Sequence, residues 1–206
     1  MANVDAPRGL TPIRHRNGAA YSGSGNPYVA LSTYGTALFV GDAVVRVAGG
    51  SNTAKISTVG GDFEIGTLGD VERATAGTTE LITGVVVGFG PNPDNLSLQY
   101  RAASTERLIY VEDDPDVIFE IQADGAIPAA SVGLNGNLIF THAGSTTTGR
   151  SGMELDTTSN PPATTIGDQL RILRAVNRTD VDTTLTHAKV EVLINQHTER
   201  AGIIGV

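Results

Sequence analysis

Cysteine and tryptophan are both absent from the 206 residues, and each absence removes a class of chemistry. Without cysteine there is no disulfide framework, no thiolate nucleophile and no Cys-ligated zinc or iron–sulfur centre. Without tryptophan a glycosidase cleft lacks its stacking platform for sugars. Lysine occurs only at Lys55 and Lys189, so helix-favouring residues are scarce. No apolar run approaches the ~18 residues of a spanning helix, and the polar N-terminus lacks the plan of a secretory signal. We therefore expect no membrane partner, and a protein made and assembled in the cytoplasm of its producing cell.

What is present points to strands. Hydrophobic residues make up 40% of the chain, and 25 glycines and 9 prolines supply turn positions between short runs rich in valine and threonine. The length allows a sizeable β core. A net charge of −8 and a pI near 4.9 repel nucleic acid, so a nucleic-acid partner is not expected.

Turn signals separate the expected strands. Residues 37–47 (ALFVGDAVVRV) read as a strand pair or one long strand bulged at Gly41. Residues 54–59 and 62–68 flank Gly60-Gly61, a hairpin signal, and residues 71–75 and 81–89 flank residues 76–78. Residues 81–89 (LITGVVVGF) are apolar on both faces and so central, and residues 91–95 (PNPDN) force a loop. Residues 107–112 and 117–123 follow; in the second, Val117, Phe119, Ile121 and Ala123 alternate with Ile118, Glu120 and Gln122. A short strand is expected at 138–142 and a Ser/Thr/Gly/Pro-rich excursion at 143–167. Residues 169–177 and 189–195 read as a closing hairpin, although Leu170, Leu173 and Val176 also fit a helix capped by Asp168. The expected fold is all-β: an antiparallel barrel- or sandwich-like body over residues 26–206, preceded by an extended N-terminal arm over residues 1–25.

The arm is read from residues 1–18 (MANVDAPRGLTPIRHRNG), which combine Pro, Gly and Arg with no apolar periodicity. Such a segment buries too little to order itself and reads as mobile, or ordered by another surface. Its basic residues Arg8, Arg14, His15 and Arg16 are the candidate binding residues. On that reading, deleting residues 1–18 shifts the melting temperature by only a few degrees.

Catalytic patterns are thin. No G-x-S-x-G or S-x-x-K frame occurs, and Gly23-Ser24-Gly25 lacks the lysine or spacing of a phosphate cradle. The histidines, His15, His142, His187 and His197, show no i, i+2 or i, i+4 pair and read as surface or turn residues. Residues 112–116 (EDDPD) lack the Gly of a calcium loop and carry Pro115, so they read as a solvated turn. No enzyme activity, cofactor or metal is expected.

Six segments share a likeness. DAPRGLTPIRHRNG (5–18), ALFVGDAVV (37–45), ITGVVVGFGPNPDNL (82–96), DDPDVIFEIQAD (113–124), LRILRAVNR (170–178) and AKVEVLINQHTER (188–200) resemble segments of the cement, or decoration, proteins of tailed-bacteriophage heads. The resemblance implies a β-barrel-like homotrimer on the outer surface of the virion head, binding the major capsid protein where capsomers meet and stabilising the shell. The basic residues of the arm would make that contact. A different virion protein, such as a head fibre, tail component or host-surface adhesin, is the alternative. The two-sided apolar surplus in residues 81–89 and 190–194 leaves material for a trimer seam.

Overall fold

The computed structural model describes residues 3–52, 54–58, 61–77, 79–92 and 94–200. Gly60, Thr78 and Pro93, each placed in a turn by sequence, lie outside the described residues. The architecture is all-β. Strands β2 (Asn26–Ala30), β6 (Gly69–Arg73), β3 (Ala43–Ser51), β7 (Gly84–Phe89) and β8 (Arg107–Glu112) close into a barrel in that order. A separate five-stranded sheet runs β1 (Thr11–His15), β9 (Val117–Gln122), β14 (Lys189–Ile194), β13 (Leu170–Ala175) and β10 (Asn135–Gly136), antiparallel throughout. Two small antiparallel pairs join β4 (Ile56–Thr58) to β5 (Gly61–Phe63) and β11 (Leu138–Ile139) to β12 (Glu154–Leu155). Among the described residues no helix is long and apolar enough to cross a membrane.

The barrel wall has two dry faces. Ala43 and Val85 pack with Phe119, Ile121, Val190 and Val192 of the sheet in one core. Their chain neighbours Val44 and Val86 point the other way, into the barrel, against Val71, Ile109 and Val111. Strand alternation forces this division, and it explains why residues 81–89 are apolar on both faces. At 1.5–3 kcal/mol per buried aliphatic side chain, the surplus is used inside the chain. Val190, Val192 and Ile194 enter the same core, and Leu193 is itself buried. Of the two uses open to these runs, an internal core or a trimer seam, residues 82–86 with Val190, Val192 and Ile194 serve the internal core, while Leu81, Val87 and Phe89 are only half-buried.

The N-terminal arm is corrected too. Residues 11–15 form β1, the edge strand of the sheet, paired antiparallel with β9 from Thr11 against Glu120 to His15 against Val117. Leu10 is 1% exposed within the core, and the Leu10 N–H donates to the Gly41 carbonyl at 2.9 Å. Asn3 bonds Asp182 and Thr186. The segment orders on its own body because β9 offers an edge, which a search for apolar periodicity cannot register.

Gly9 and Gly41 make the arm's approach possible. Their φ angles are +68° and +98°. A Cβ on Gly9 would lie 2.2 Å from the Gly41 carbonyl oxygen, and one on Gly41 would lie 2.2 Å from that of Arg8. Gly41 is thus a turn ahead of β3, where sequence offered a strand pair or one long strand bulged at that glycine; before the turn only isolated bridges at Leu38 and Val40 form. The hairpin β4–β5 and the closing pair β13–β14 form as expected, the latter as strand and not helix. The strand expected at 138–142 shrinks to Leu138–Ile139. Within the 143–167 excursion, residues 151–156 are all buried, and Met153 and Leu155 belong to the main core. The excursion crosses the interior as well as the surface.

Candidate functional site

The sheet's outer face collects cations from four segments. In β14, Val190, Val192 and Ile194 face the core, so Lys189, Glu191 and Leu193 face outward. In β13, Leu170 and Ile172 face inward and Arg171 outward, and a bulge after Ile172 brings Arg174 opposite Glu191. Arg14 of β1 reaches the same carboxylate across β9. Glu191 receives Arg14 through both of its terminal nitrogens, and Arg174 at 2.8 and 3.1 Å. Burial alone would push the Glu191 carboxyl up, but the bonds from Arg14 and Arg174 outweigh it and hold it below its ordinary value.

Beside this cluster lies a recess of about 300 Å³. Arg16, Arg171 and Arg200 line it with Leu173, Leu193, Ile194 and Asn195, and no carboxylate does. The Arg171 side chain makes no hydrogen bond or ion pair among the described residues. Arg16 stands 3.9 Å from Asp116, and Arg200 donates weakly to the Pro115 carbonyl at 3.5 Å. Three guanidiniums with spare donors around a partly apolar floor suit a carboxylate carried on another chain.

The four residues singled out from sequence divide. Arg16 lines the recess. Arg14 lies nearby but is held by Glu191. His15 faces Asp114 at 3.1 Å, and Arg8 is exposed in a separate groove of about 480 Å³ with Arg178 and Glu120. Arg171, Arg174 and Arg200 were missed. The alternation of LRILRA could have placed Arg171 outward, but the partner strand that makes it a neighbour of Arg16 has no local sign. No family model, curated protein or solved structure matches this chain. The recess is therefore weighed by its own geometry.

The acidic loop at 112–116 joins strands of the barrel and of the sheet. Asp113 accepts from Asn26 at 2.7 Å and Tyr28 at 2.8 Å, and the Asp116 N–H donates to Asp114 at 2.8 Å, the pattern of a side-chain-braced turn.

His197, read from sequence as a surface or turn residue, is fully buried, with Nδ1 accepting from the Glu199 N–H at 3.0 Å. Burial, with help from Arg200, lowers its pKa to about 4. Burial raises that of Asp42 to about 6 against the opposing bonds from Ser151 and Phe39. The neutral His197 favours the fold above pH 6.5 and loses that advantage as pH falls toward 4. Protonated Asp42 favours the fold below about pH 4 and loses it as pH rises through 6. The two nearly cancel. On acidification from pH 6 to 4, Asp42→Asn should lose stability relative to wild type and His197→Gln should gain it, each by about 2 kcal/mol. Parallel urea-denaturation curves for all three proteins across this range would refute the assignment.

Proposed function

We propose that the chain is a cement protein of a tailed-bacteriophage head, binding the major capsid protein on the outer surface of the assembled shell as a homotrimer and acting by contact and not by catalysis. What supports this reading is where the six resembling segments lie. β1 pairs with β9, β9 with β14 and β14 with β13, while Leu10 bonds Gly41 and Ile82 bridges His197. Segments scattered from residue 5 to residue 200 thus form one hydrogen-bonded unit. The outer face of that unit carries the arginine recess, and an acidic side chain of the capsid protein is the partner it suits. A protein that binds the assembled shell and not its free subunits stabilises the shell by mass action, and three contacts per trimer add avidity.

The contact residues are revised accordingly. Reversing Arg14 would strip a buried carboxylate of a partner, so loss of binding there would be confounded with loss of fold. The informative variant is Arg16→Glu with Arg171→Glu. It should weaken co-sedimentation with expanded heads by about 100-fold, whereas Arg150→Glu, in the 143–167 excursion, should change it less than about threefold. Equal effects at both places would remove the recess from the contact. Failure of the wild-type protein to bind heads in stoichiometric amounts would remove the cement role. The trimer rests on the resemblance, and light scattering giving a monomer both in solution and on the particle would exclude it.

A further inference from the structure

Apart from the residues of the arginine recess, Asp5, His142, Glu154 and His187 converge from four separate segments. Glu154 is 1% exposed, a carboxylate placed inside the protein by β12. Its Oε1 accepts from Gln122 Nε2 at 3.0 Å; its Oε2 accepts from Thr141 and lies 3.0 Å from His142 Nδ1. Gln122 Nε2 also donates to Asp5 Oδ1 at 3.0 Å, while the Ala6 N–H donates to Gln122 Oε1 at 3.2 Å and fixes which way the amide points. One amide nitrogen therefore holds two carboxylates toward each other. His142 Nε2 lies 3.4 Å from Asp5 Oδ2.

His187 completes the cluster in an unusual state. Its backbone is left-handed at φ +62°, a conformation that costs a non-glycine residue energy unless the surroundings enforce it. Its Nδ1 is buried without a hydrogen-bond partner and lies 3.5 Å from Asp5 Oδ1. The ligand atoms of Asp5, Glu154 and His187 all lie within 4.8 Å of one another. Small side-chain rotations would close that triangle to the ~3.3 Å ligand spacing set by ~2.0–2.1 Å bonds to a tetrahedral ion.

We propose that Asp5, Glu154 and His187 form a site for a divalent transition-metal ion of the zinc type, with His142 beside them holding the two carboxylates. Two facing carboxylates repel, a cost that a cation between them relieves further than Gln122 and His142 alone, and an imidazole nitrogen without a hydrogen-bond partner beside them supplies the ligand that hard cations such as Ca²⁺ and Mg²⁺ do not favour. Gln122 and Thr141 orient the two carboxylates from behind, as supporting groups do around metal ligands. Asp5 and His142 are partly exposed and leave a route in. The ion would tie the N-terminal segment to β12 and to the turn ahead of β14, fastening the two ends of the chain.

The test uses the full-length protein without a histidine tag, stripped with a chelator and titrated with Zn²⁺ by calorimetry and with Co²⁺ by visible absorption. One Zn²⁺ per chain, a melting temperature higher by several degrees in excess Zn²⁺ and not in Mg²⁺ or Ca²⁺, and tetrahedral Co²⁺ bands are expected. Asp5→Asn and His187→Gly should each weaken binding at least tenfold; glycine accepts the left-handed backbone, so the fold is retained and can be checked by circular dichroism. His15→Ala, at a histidine outside the cluster, should have no effect. Zn²⁺ binding that is absent, or unchanged by Asp5→Asn and His187→Gly, would overturn the site.

Discussion

Removal of residues 1–18 should lower the melting temperature by about 10 °C or more, and not by the few degrees that the polar composition of this segment suggests. The deletion takes away Leu10, whose burial contributes about 2–3 kcal/mol, and opens a gap in the core beside it. It strips the outer edge of β9 along the register from Thr11 to His15. It also removes Arg14, leaving the Glu191 carboxylate with Arg174 alone. A combined loss of ~5 kcal/mol corresponds to ~10–20 °C in a chain of this size. Differential scanning calorimetry of the truncated protein gives the answer directly. A melting temperature within about 3 °C of full length would mean that residues 1–18 act as a detachable arm after all.

A single methyl group should do comparable damage at Gly41. Its φ of +98° is unfavourable for alanine, and the added Cβ would sit 2.2 Å from the Arg8 carbonyl oxygen, well inside contact distance. Neither neighbour can yield cheaply. The Gly41 N–H is bonded to Val86 at 2.8 Å, and its carbonyl accepts from Leu10 at 2.9 Å, so the turn is fixed to the barrel on one side and to the N-terminal segment on the other. Gly41→Ala should cost ~3 kcal/mol or more, read as a lower urea midpoint, while Gly18→Ala, with open space around its Cβ, should cost about 1 kcal/mol. Equal midpoints for the two variants would show that the segment withdraws from Gly41 without penalty.

Strands whose pattern is local could be read from the sequence. The alternation of Val117, Phe119 and Ile121 and the β4–β5 hairpin each carry their signal within a dozen residues, the β13–β14 pair carries its own within residues 170–194, and all of them form. Pairings between distant segments carry no such signal. β1 holds a proline, a bulge and three polar residues in five positions, and it is a strand only because β9 is there to receive it. Met153, Glu154 and Leu155 make too short an apolar run to announce a core crossing. Arg101, of a residue type rarely buried, is fully buried and donates to the carbonyls of Leu31, Thr36 and Thr105 at 2.6, 2.6 and 2.7 Å. Its guanidinium replaces backbone partners that loops could not supply to one another.

The candidate site was half visible for the same reason. The cations of residues 8–16 stand out by composition, whereas Arg171 and Arg200 become their neighbours only through β14. Likewise Asp5, His142, Glu154 and His187 share no spacing rule, since each arrives on a different segment.

The strand order also sets a timetable for synthesis. β1 pairs with β9, and β9 draws its other neighbour from β14, the last strand among the described residues. The barrel, complete by residue 112, can close while translation continues, but the N-terminal segment must wait for more than half of the chain before its partner exists. The core shared by Val85, Phe119 and Val192 stays open until then. Such long-range closure makes for slow, late folding and leaves nascent chains exposed to aggregation. Premature termination between residues 112 and 117 would accordingly release a closed barrel with an unpaired N-terminal tail, a species prone to capture by chaperones and proteases.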